Sequence, residues 1–461
     1  MAPTDRYPPQ TKYILGNEAC ERFSFYGMKN ILTVFFVNYL LVSLIPDEAA
    51  RKEAGKSTYH LFNSAVYFFP LVGGYVADRF LGKYRTILYF SVVYCLGHAA
   101  LALFEGYAAG FYVGLGLIAF GSGGIKPCVS AFVGDQFDES NKHLVKGVFG
   151  AFYWLINFGS FFASLLTPWM LEAHGPAYAF GLPGVLMAVA TFIFWLGRHQ
   201  YTDVPPTGRN PHGFVAVVKS ALRAPAAPGR RGLDRALAQH PPEAVDAVRA
   251  VFAVVPLFLP LAFFWALFDQ KGSTWVLQAQ QMEREVWGFQ VEASQMLMLN
   301  PLLVMLLVPL MQGLLYPWAE RRGIPLTPIR RITAGMAVAG VSFLLVAALE
   351  SVLLSGGKPH IAWQAGPYAV LTLAEVLVST TALEFAYSQA PTQMKSVVMS
   401  LYNLSVTLGN LVTAAVAGTK GLDPVNRTLF FAGLAFFGAV AFGWMSRGYV
   451  VRDRFQSAPA A

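Results

Sequence analysis

Charge is scarce in this chain. Of its 461 residues only 13% are Asp, Glu, Lys or Arg, about half of what a water-soluble domain carries. That shortage excludes the string of roughly three soluble domains that the length alone would suggest. Cysteine is scarcer still: Cys20, Cys95 and Cys128 are the only three. Their number is odd and all fall inside or beside apolar stretches, which excludes a disulfide framework and predicts buried thiols. The His and Cys positions have no metal-ligand spacing, and neither H-E-x-x-H nor G-x-S-x-G occurs. The sequence therefore nominates no metal, no cofactor and no enzymatic nucleophile. The opening MAPTDRYPPQTKY lacks an apolar core and a small-residue cleavage site, which predicts a first span that is retained.

What the chain has in quantity is apolar surface. Hydrophobic residues make up 55%, with 37 Phe, 20 Tyr and 9 Trp, and the mean hydropathy is +0.47. This excludes disorder and predicts a membrane-embedded protein. The net charge of +8 does not indicate a nucleic-acid partner, because the basic residues sit in short segments between apolar runs instead of on one surface.

A bilayer core of about 30 Å needs roughly 20 apolar residues of helix. Twelve windows qualify: 14–42, 59–78, 86–104, 108–130, 145–170 and 177–198, then 251–276, 294–318, 328–354, 363–390, 396–418 and 428–448. Placing both termini in the cytoplasm puts most Lys and Arg on the cytoplasmic side, as the positive-inside rule requires. The windows fall into two groups of six, predicting an N-terminal bundle over 1–198 and a C-terminal bundle over 251–461. Residues 199–250 form a cytoplasmic linker containing Pro205, Pro206, Pro211, Pro225, Pro228, Pro241 and Pro242. A short amphipathic helix over 214–223 fits the membrane surface. The two halves share a weak repeat: an acid at the end of a span followed by a basic turn, at Asp78-Arg79 and again at Glu320-Arg321-Arg322. Duplicated halves with a midplane site between them are the plan of many secondary transporters.

Ionisable groups inside spans cost at least about 2.5 kcal/mol each on insertion scales, so each needs a partner or a hydrated cavity. The spans contain Glu18, Glu21, Arg22, Lys29, Lys126, Asp269, Lys271, Glu375 and Glu384. Glu18, Arg22, Tyr26 and Lys29 follow one another at i,i+4 or i,i+3 and share one helix face over about 16 Å. This predicts a polar stripe from the cytoplasmic end towards mid-bilayer. Lys126 lies between Gly121-Ser122-Gly123-Gly124 and Pro127, where close packing and a lost hydrogen bond make the helix deformable.

These residues resemble the proton-dependent oligopeptide transporters, a family of the major facilitator superfamily. Glu18-Ala19-Cys20-Glu21-Arg22-Phe23-Ser24-Phe25-Tyr26-Gly27 is similar to its E-x-x-E-R-F-S-Y-Y-G signature. The segments 121–137, 152–159, 264–270, Asn300-Pro301 and 383–391 continue the likeness through both halves. The resemblance implies an all-α polytopic membrane protein with the major facilitator fold, twelve transmembrane helices in two six-helix halves. It also implies symport of di- and tripeptides with protons by alternating access. By matching position, Glu18, Glu21, Arg22 and Lys126 would carry proton coupling. Glu384, Asn157 and Asn300 would hold the peptide amino end, and Tyr26, Tyr67, Tyr153 and Trp265 would line the pocket. Asp78 and Arg79 resemble the superfamily's cytoplasmic latch. His60 resembles a histidine that animal members use in coupling, while the alternative is a structural hydrogen-bonded group. The sequence departs from the pattern at Lys29, where many bacterial members have arginine, at Lys271, usually Gln, and at Tyr402, commonly Trp.

The charges suggest a mechanism. An extended dipeptide separates its charged ends by roughly 7 Å. Lys29 and Lys126 could take the carboxylate and Glu384 the ammonium, drawing the halves together. Glu18 or Glu21, paired with Arg22 or Lys126 when ionised, would release the base on protonation. The expected setting is the bacterial inner membrane and the expected partners are small peptides, protons and the lipid bilayer, with the protein acting as a monomer. Two other readings remain: a proton-coupled nitrate or organic-anion symporter on the same scaffold, and a non-transporting peptide receptor.

Overall fold

The computed structural model describes residues 6–138, 140–206, 208, 210–224, 231–419 and 422–451. Pro225 and Pro228 of the expected linker lie outside them. The first half contains α1 (Thr11–Phe35), α2 (Glu48–Val76), α3 (Gly82–Leu103), α4 (Ala108–Gly134), α5 (Val145–His174) and α6 (Pro176–Leu196). The connecting region holds α7 (Phe214–Arg223) and the start of α8 (Pro242–Val254). The second half follows with α9 (Phe258–Phe268), α10 (Thr274–Ala279), α11 (Leu299–Leu310), α12 (Tyr316–Arg321), α13 (Pro328–Leu354), α14 (Ala365–Glu375), α15 (Thr381–Gln389), α16 (Lys395–Ala417) and α17 (Pro424–Met445).

Ten helical segments among the described residues are long and apolar enough to cross a membrane. One of them, Glu48–Leu103, holds two spans, α2 and α3, because the chain turns at Gly82 with φ +74°, a conformation that favours glycine. The α1 helix is not among the ten; it carries the charges Glu18, Glu21, Arg22 and Lys29. With it, the expected set of spans is present, and the chain is an all-α polytopic membrane protein in two halves.

Buried side chains form two separate clusters. One draws on residues from Ile14 to Phe194, the other on residues from Val217 to Phe442. The connecting helices pack with the second: Val217 and Ala221 of α7, and Val245, Val248 and Val251 of α8. Residue 250, expected as the end of the linker, therefore lies within a helix docked on the second half. In the first half, Gly73 of α2 crosses α4 so closely that a Cβ there would stand 2.6 Å from the Gly123 carbonyl carbon. The glycines preceding Lys126 thus serve packing, with the lysine held at the crossing.

Three departures from the expected spans have physical causes. First, α2 begins at Glu48, well before 59. Its outer turns carry charges that neutralise one another, Lys52 with Glu48 and Lys56 with Glu53, each at 2.6 Å, so a hydropathy window passes over them. Second, the span expected at 251–276 breaks after Phe268 into a tight 3-10 turn, Asp269–Gly272. Third, the span expected at 363–390 widens into a π turn, Val376–Thr380, directly after Glu375. Irregular backbone at membrane depth is tolerated where it is buried in protein or lines a cavity, and it marks functional positions.

Candidate functional site

Both irregularities aim charge at one place. A cavity of about 240 Å³ between the halves is lined by Tyr26, Lys29 and Asn30 of α1, Tyr59 and Tyr67 of α2, and Tyr153, Asn157 and Ser160 of α5. The second half contributes Trp265, Phe268, Asp269, Lys271, Asn300 and Glu375. Two lysines and two carboxylates thus share one small chamber, each carboxylate at a break in its helix.

The pairing is specific. Lys29 Nζ stands 3.2 Å from Asp269 Oδ1 and joins the halves. Lys271 Nζ donates to Asn300 Oδ1 at 2.6 Å, and Asn300 Nδ2 donates in turn to Glu375 Oε2 at 2.6 Å and to Thr372 Oγ1 at 3.1 Å. A neutral amide therefore relays between the second lysine and the second carboxylate. Trp265 is 7% exposed and its indole Nε1 has no hydrogen-bond partner among the described residues. It is a donor on the cavity wall that no described residue uses. Tyr402 lies behind Trp265, the two rings 6.5 Å apart.

A hydrogen-bonded seam extends from the cavity towards the side remote from the termini. His60 Nδ1 lies 2.8 Å from Asn410 Oδ1, and its Nε2 lies 2.8 Å from Ser273 Oγ. Asn410 Nδ2 donates to Asp269 Oδ2 at 2.8 Å, which leaves Asn410 Oδ1 as an acceptor and puts a proton on His60 Nδ1. The Ser273 hydroxyl can donate to or accept from Nε2, so the seam accommodates either charge state of the imidazole. Thr33 donates to the Gly272 carbonyl at 2.7 Å, and Ser57 to the Ala414 carbonyl at 3.2 Å. All of these bonds except Asn410 to Asp269 link the first half to the second.

A second charge cluster lies on α1 towards the terminus side. Arg22 Nε is 3.0 Å from Glu18 Oε1 and 2.5 Å from Glu21 Oε2. Glu18 and Glu21 are 3% and 0% exposed. The contacts are close but not aligned as hydrogen bonds for Glu21 or for Nε. Two carboxylates thus share one guanidinium, an arrangement that one proton would balance. Lys126 forms no ion pair among the described residues. Its Nζ stands 4.2 Å from the Phe25 ring centroid and 4.8 Å from that of Tyr67, while the Arg22 guanidinium and Lys29 Nζ each stand 5.9 Å from the same Phe25 ring. One buried ring separates the cluster from the cavity.

The structure brings Tyr26, Lys29, Tyr67, Tyr153, Asn157, Trp265 and Asn300 to the cavity, as expected from the sequence. Of the stripe on α1, Tyr26 and Lys29 line the cavity, and Glu18, Glu21, Arg22 and Lys126 are not among its lining residues. Glu384, expected at the peptide amino end, is not among the residues lining this cavity. It is exposed and lies nine residues beyond Glu375, about half a turn round the helix and two and a half turns along it. Of these two acids, Glu375 is the one that lines the cavity. Asp78 and Arg79 sit in the turn between α2 and α3, where Arg79 packs 5.2 Å from the Phe80 ring centroid, with Lys83 and Asp135 paired nearby at 2.6 Å. The sequence reading missed Asn410 and Ser273. Both are neutral polar residues inside spans, and neither spacing nor charge singles them out.

The profile of the POT family, PTR2, matches residues 84–225 and 235–423. The chain is 40% identical over 365 residues to Peptide transporter 3 of Caenorhabditis elegans, covering 75% of this chain and 51% of that one. It is 38% identical over 365 residues to Solute carrier family 15 member 2 of Homo sapiens, covering 75% and 49%. The chain spans about half the length of the curated relatives it matches. Among solved structures, that of an auto-inhibited POT family peptide transporter is 47% identical, with a TM-score of 0.91, over 98% of this chain and 99% of that one. The in meso structure of the POT family transporter PepTSo is 46% identical, with a TM-score of 0.92, over 96% and 99%.

Proposed function

Because this chain belongs to the POT family, we propose that it imports di- and tripeptides together with protons by alternating access of the cavity between its halves. The observation that carries this reading is the pairing of opposite charges within one small chamber, Lys29 with Asp269 and Lys271 through Asn300 with Glu375. A peptide zwitterion can exchange with these partners at both ends. Its carboxylate takes Lys29 from Asp269, and its ammonium takes Glu375. The Trp265 indole and the Asn157 amide serve the backbone, and the tyrosines form a wall tolerant of many side chains.

Loss of the Lys29–Asp269 contact to a substrate loosens the seam that His60, Asn410 and Ser273 continue, which couples binding to opening of the far side. Coupling to protons is assigned to Glu18, Glu21 and Arg22, with Lys126 communicating through Phe25 and Tyr67. A proton on either carboxylate changes how strongly Arg22 is held, and so the field that the cavity lysines experience. His60 is placed in the gate, where its charge state sets the direction of the Ser273 hydrogen bond. Asp78 and Arg79 are proposed to latch the terminus side. The finer setting belongs to the same proposal: a bacterial inner membrane, both termini cytoplasmic, bundles over 1–198 and 251–461 joined by 199–250, and function as a monomer.

Glu375 disfavours a simple anion, because a carboxylate in the chamber repels nitrate unless a cationic group accompanies it. In a competition assay, unlabelled dialanine should displace a labelled dipeptide and nitrate should not. Displacement by nitrate alone would support the anion-symporter reading.

A further inference from the structure

We infer that Lys271 makes this cavity select peptides whose amino-terminal residue carries a carboxylate side chain. The inference rests on the peptide reading above and names the substrate class of the same site.

The two lysines of the cavity are not equivalent. Lys29 has its own carboxylate, Asp269, at 3.2 Å. Lys271 forms no ion pair among the described residues. It donates to the oxygen of Asn300, and it rests with Nζ 3.4 Å from the Phe268 ring centroid. Its counter-charge, Glu375, is reached only through the far side of that amide. Asn300 has no second orientation open to it, because its nitrogen is already committed to Glu375 and Thr372.

In the empty chamber the charges balance formally, two ammonium groups against two carboxylates. A neutral-side-chain peptide leaves that sum unchanged but redistributes it. Its ammonium occupies Glu375 and its carboxylate occupies Lys29. Lys271 is then left with a neutral amide and the Phe268 ring, in a chamber that Leu297, Pro301 and Val304 also line. A desolvated ammonium in that position is unfavourable. A carboxylate arriving with the substrate gives it a charge-assisted partner.

Geometry says which residue of the peptide must carry that group. Lys271 and Glu375 grip opposite ends of one amide, so the acceptor for Lys271 lies within a side chain's reach of the bound ammonium. The side chain on the same Cα as the ammonium meets that condition. The next Cα stands about 3.8 Å further along, towards Lys29, which the peptide carboxylate already serves.

The test uses the full chain purified and reconstituted into liposomes, with labelled dialanine as the reporter and Glu-Ala, Gln-Ala and Ala-Glu as competitors. Glu-Ala should compete about tenfold more strongly than its neutral isostere Gln-Ala, and more strongly than Ala-Glu. Lys271→Gln should erase the preference, and Lys271→Glu should replace it with one for Lys-Ala. A purely structural lysine would lower uptake of all competitors together and leave the ratio intact. Equal competition by Glu-Ala and Gln-Ala in the unmutated protein, or an undiminished ratio in Lys271→Gln, overturns the inference. Failure of dialanine itself to enter overturns the peptide reading instead, so the two failures are distinct.

Discussion

Replacing Glu375 by Gln should lower dipeptide uptake by about two orders of magnitude, whereas Glu384→Gln should change it less than about twofold. The first substitution removes the charge that receives the peptide ammonium and strands Lys271 beyond Asn300. Removing one member of a buried charged pair costs about 3–5 kcal/mol, and about 2.7 kcal/mol already corresponds to a hundredfold. The second alters an exposed side chain, where changes typically stay within about 0.5 kcal/mol. The measurement is initial uptake of labelled dialanine at matched protein levels. A reversed pattern, with Glu384→Gln inactive and Glu375→Gln active, would contradict the assignment of the ammonium site.

Glu18→Gln should separate coupling from carriage. Two carboxylates contact Arg22 Nε in the native cluster, and removing one charge leaves a matched pair with no excess negative charge to attract a proton. Gradient-driven accumulation should fall by about a hundredfold or more, while exchange of labelled for unlabelled peptide between preloaded compartments persists. Exchange needs only the loaded carrier to reorient, and the cavity does not include Glu18. Accumulation that still follows the acid gradient in this variant would remove Glu18 from coupling.

Much of this was legible in the sequence because membrane spans and buried charge leave strong signals. Apolar runs gave the spans, and the cost of a charge in lipid marked Lys29, Asp269, Lys271 and Glu375 as residues that had to find partners. Which partner each would find was not legible, since the Lys29–Asp269 and His60–Asn410 contacts join residues more than two hundred positions apart. That Glu375 and not Glu384 lines the cavity was not legible for a particular reason. Two acids nine residues apart lie on opposite faces of a helix, and nothing in the local pattern says which face meets the cavity. The π turn between them and the break after Phe268 also escape a periodicity argument, because both depart from 3.6 residues per turn where the site is built. The first turns of α2 were lost for the opposite reason: their charges cancel pairwise, so a helix longer than its apolar core looked like a loop.

The central claim is that one chamber between two halves uses a proton gradient to concentrate a small zwitterion. It is tested most directly by purified protein in liposomes, loaded with buffer and given labelled dialanine with and without an inward acid gradient. The account predicts accumulation above the external concentration only when the gradient is present, collapsing when a protonophore is added. Binding without accumulation, or accumulation indifferent to the gradient, would contradict it.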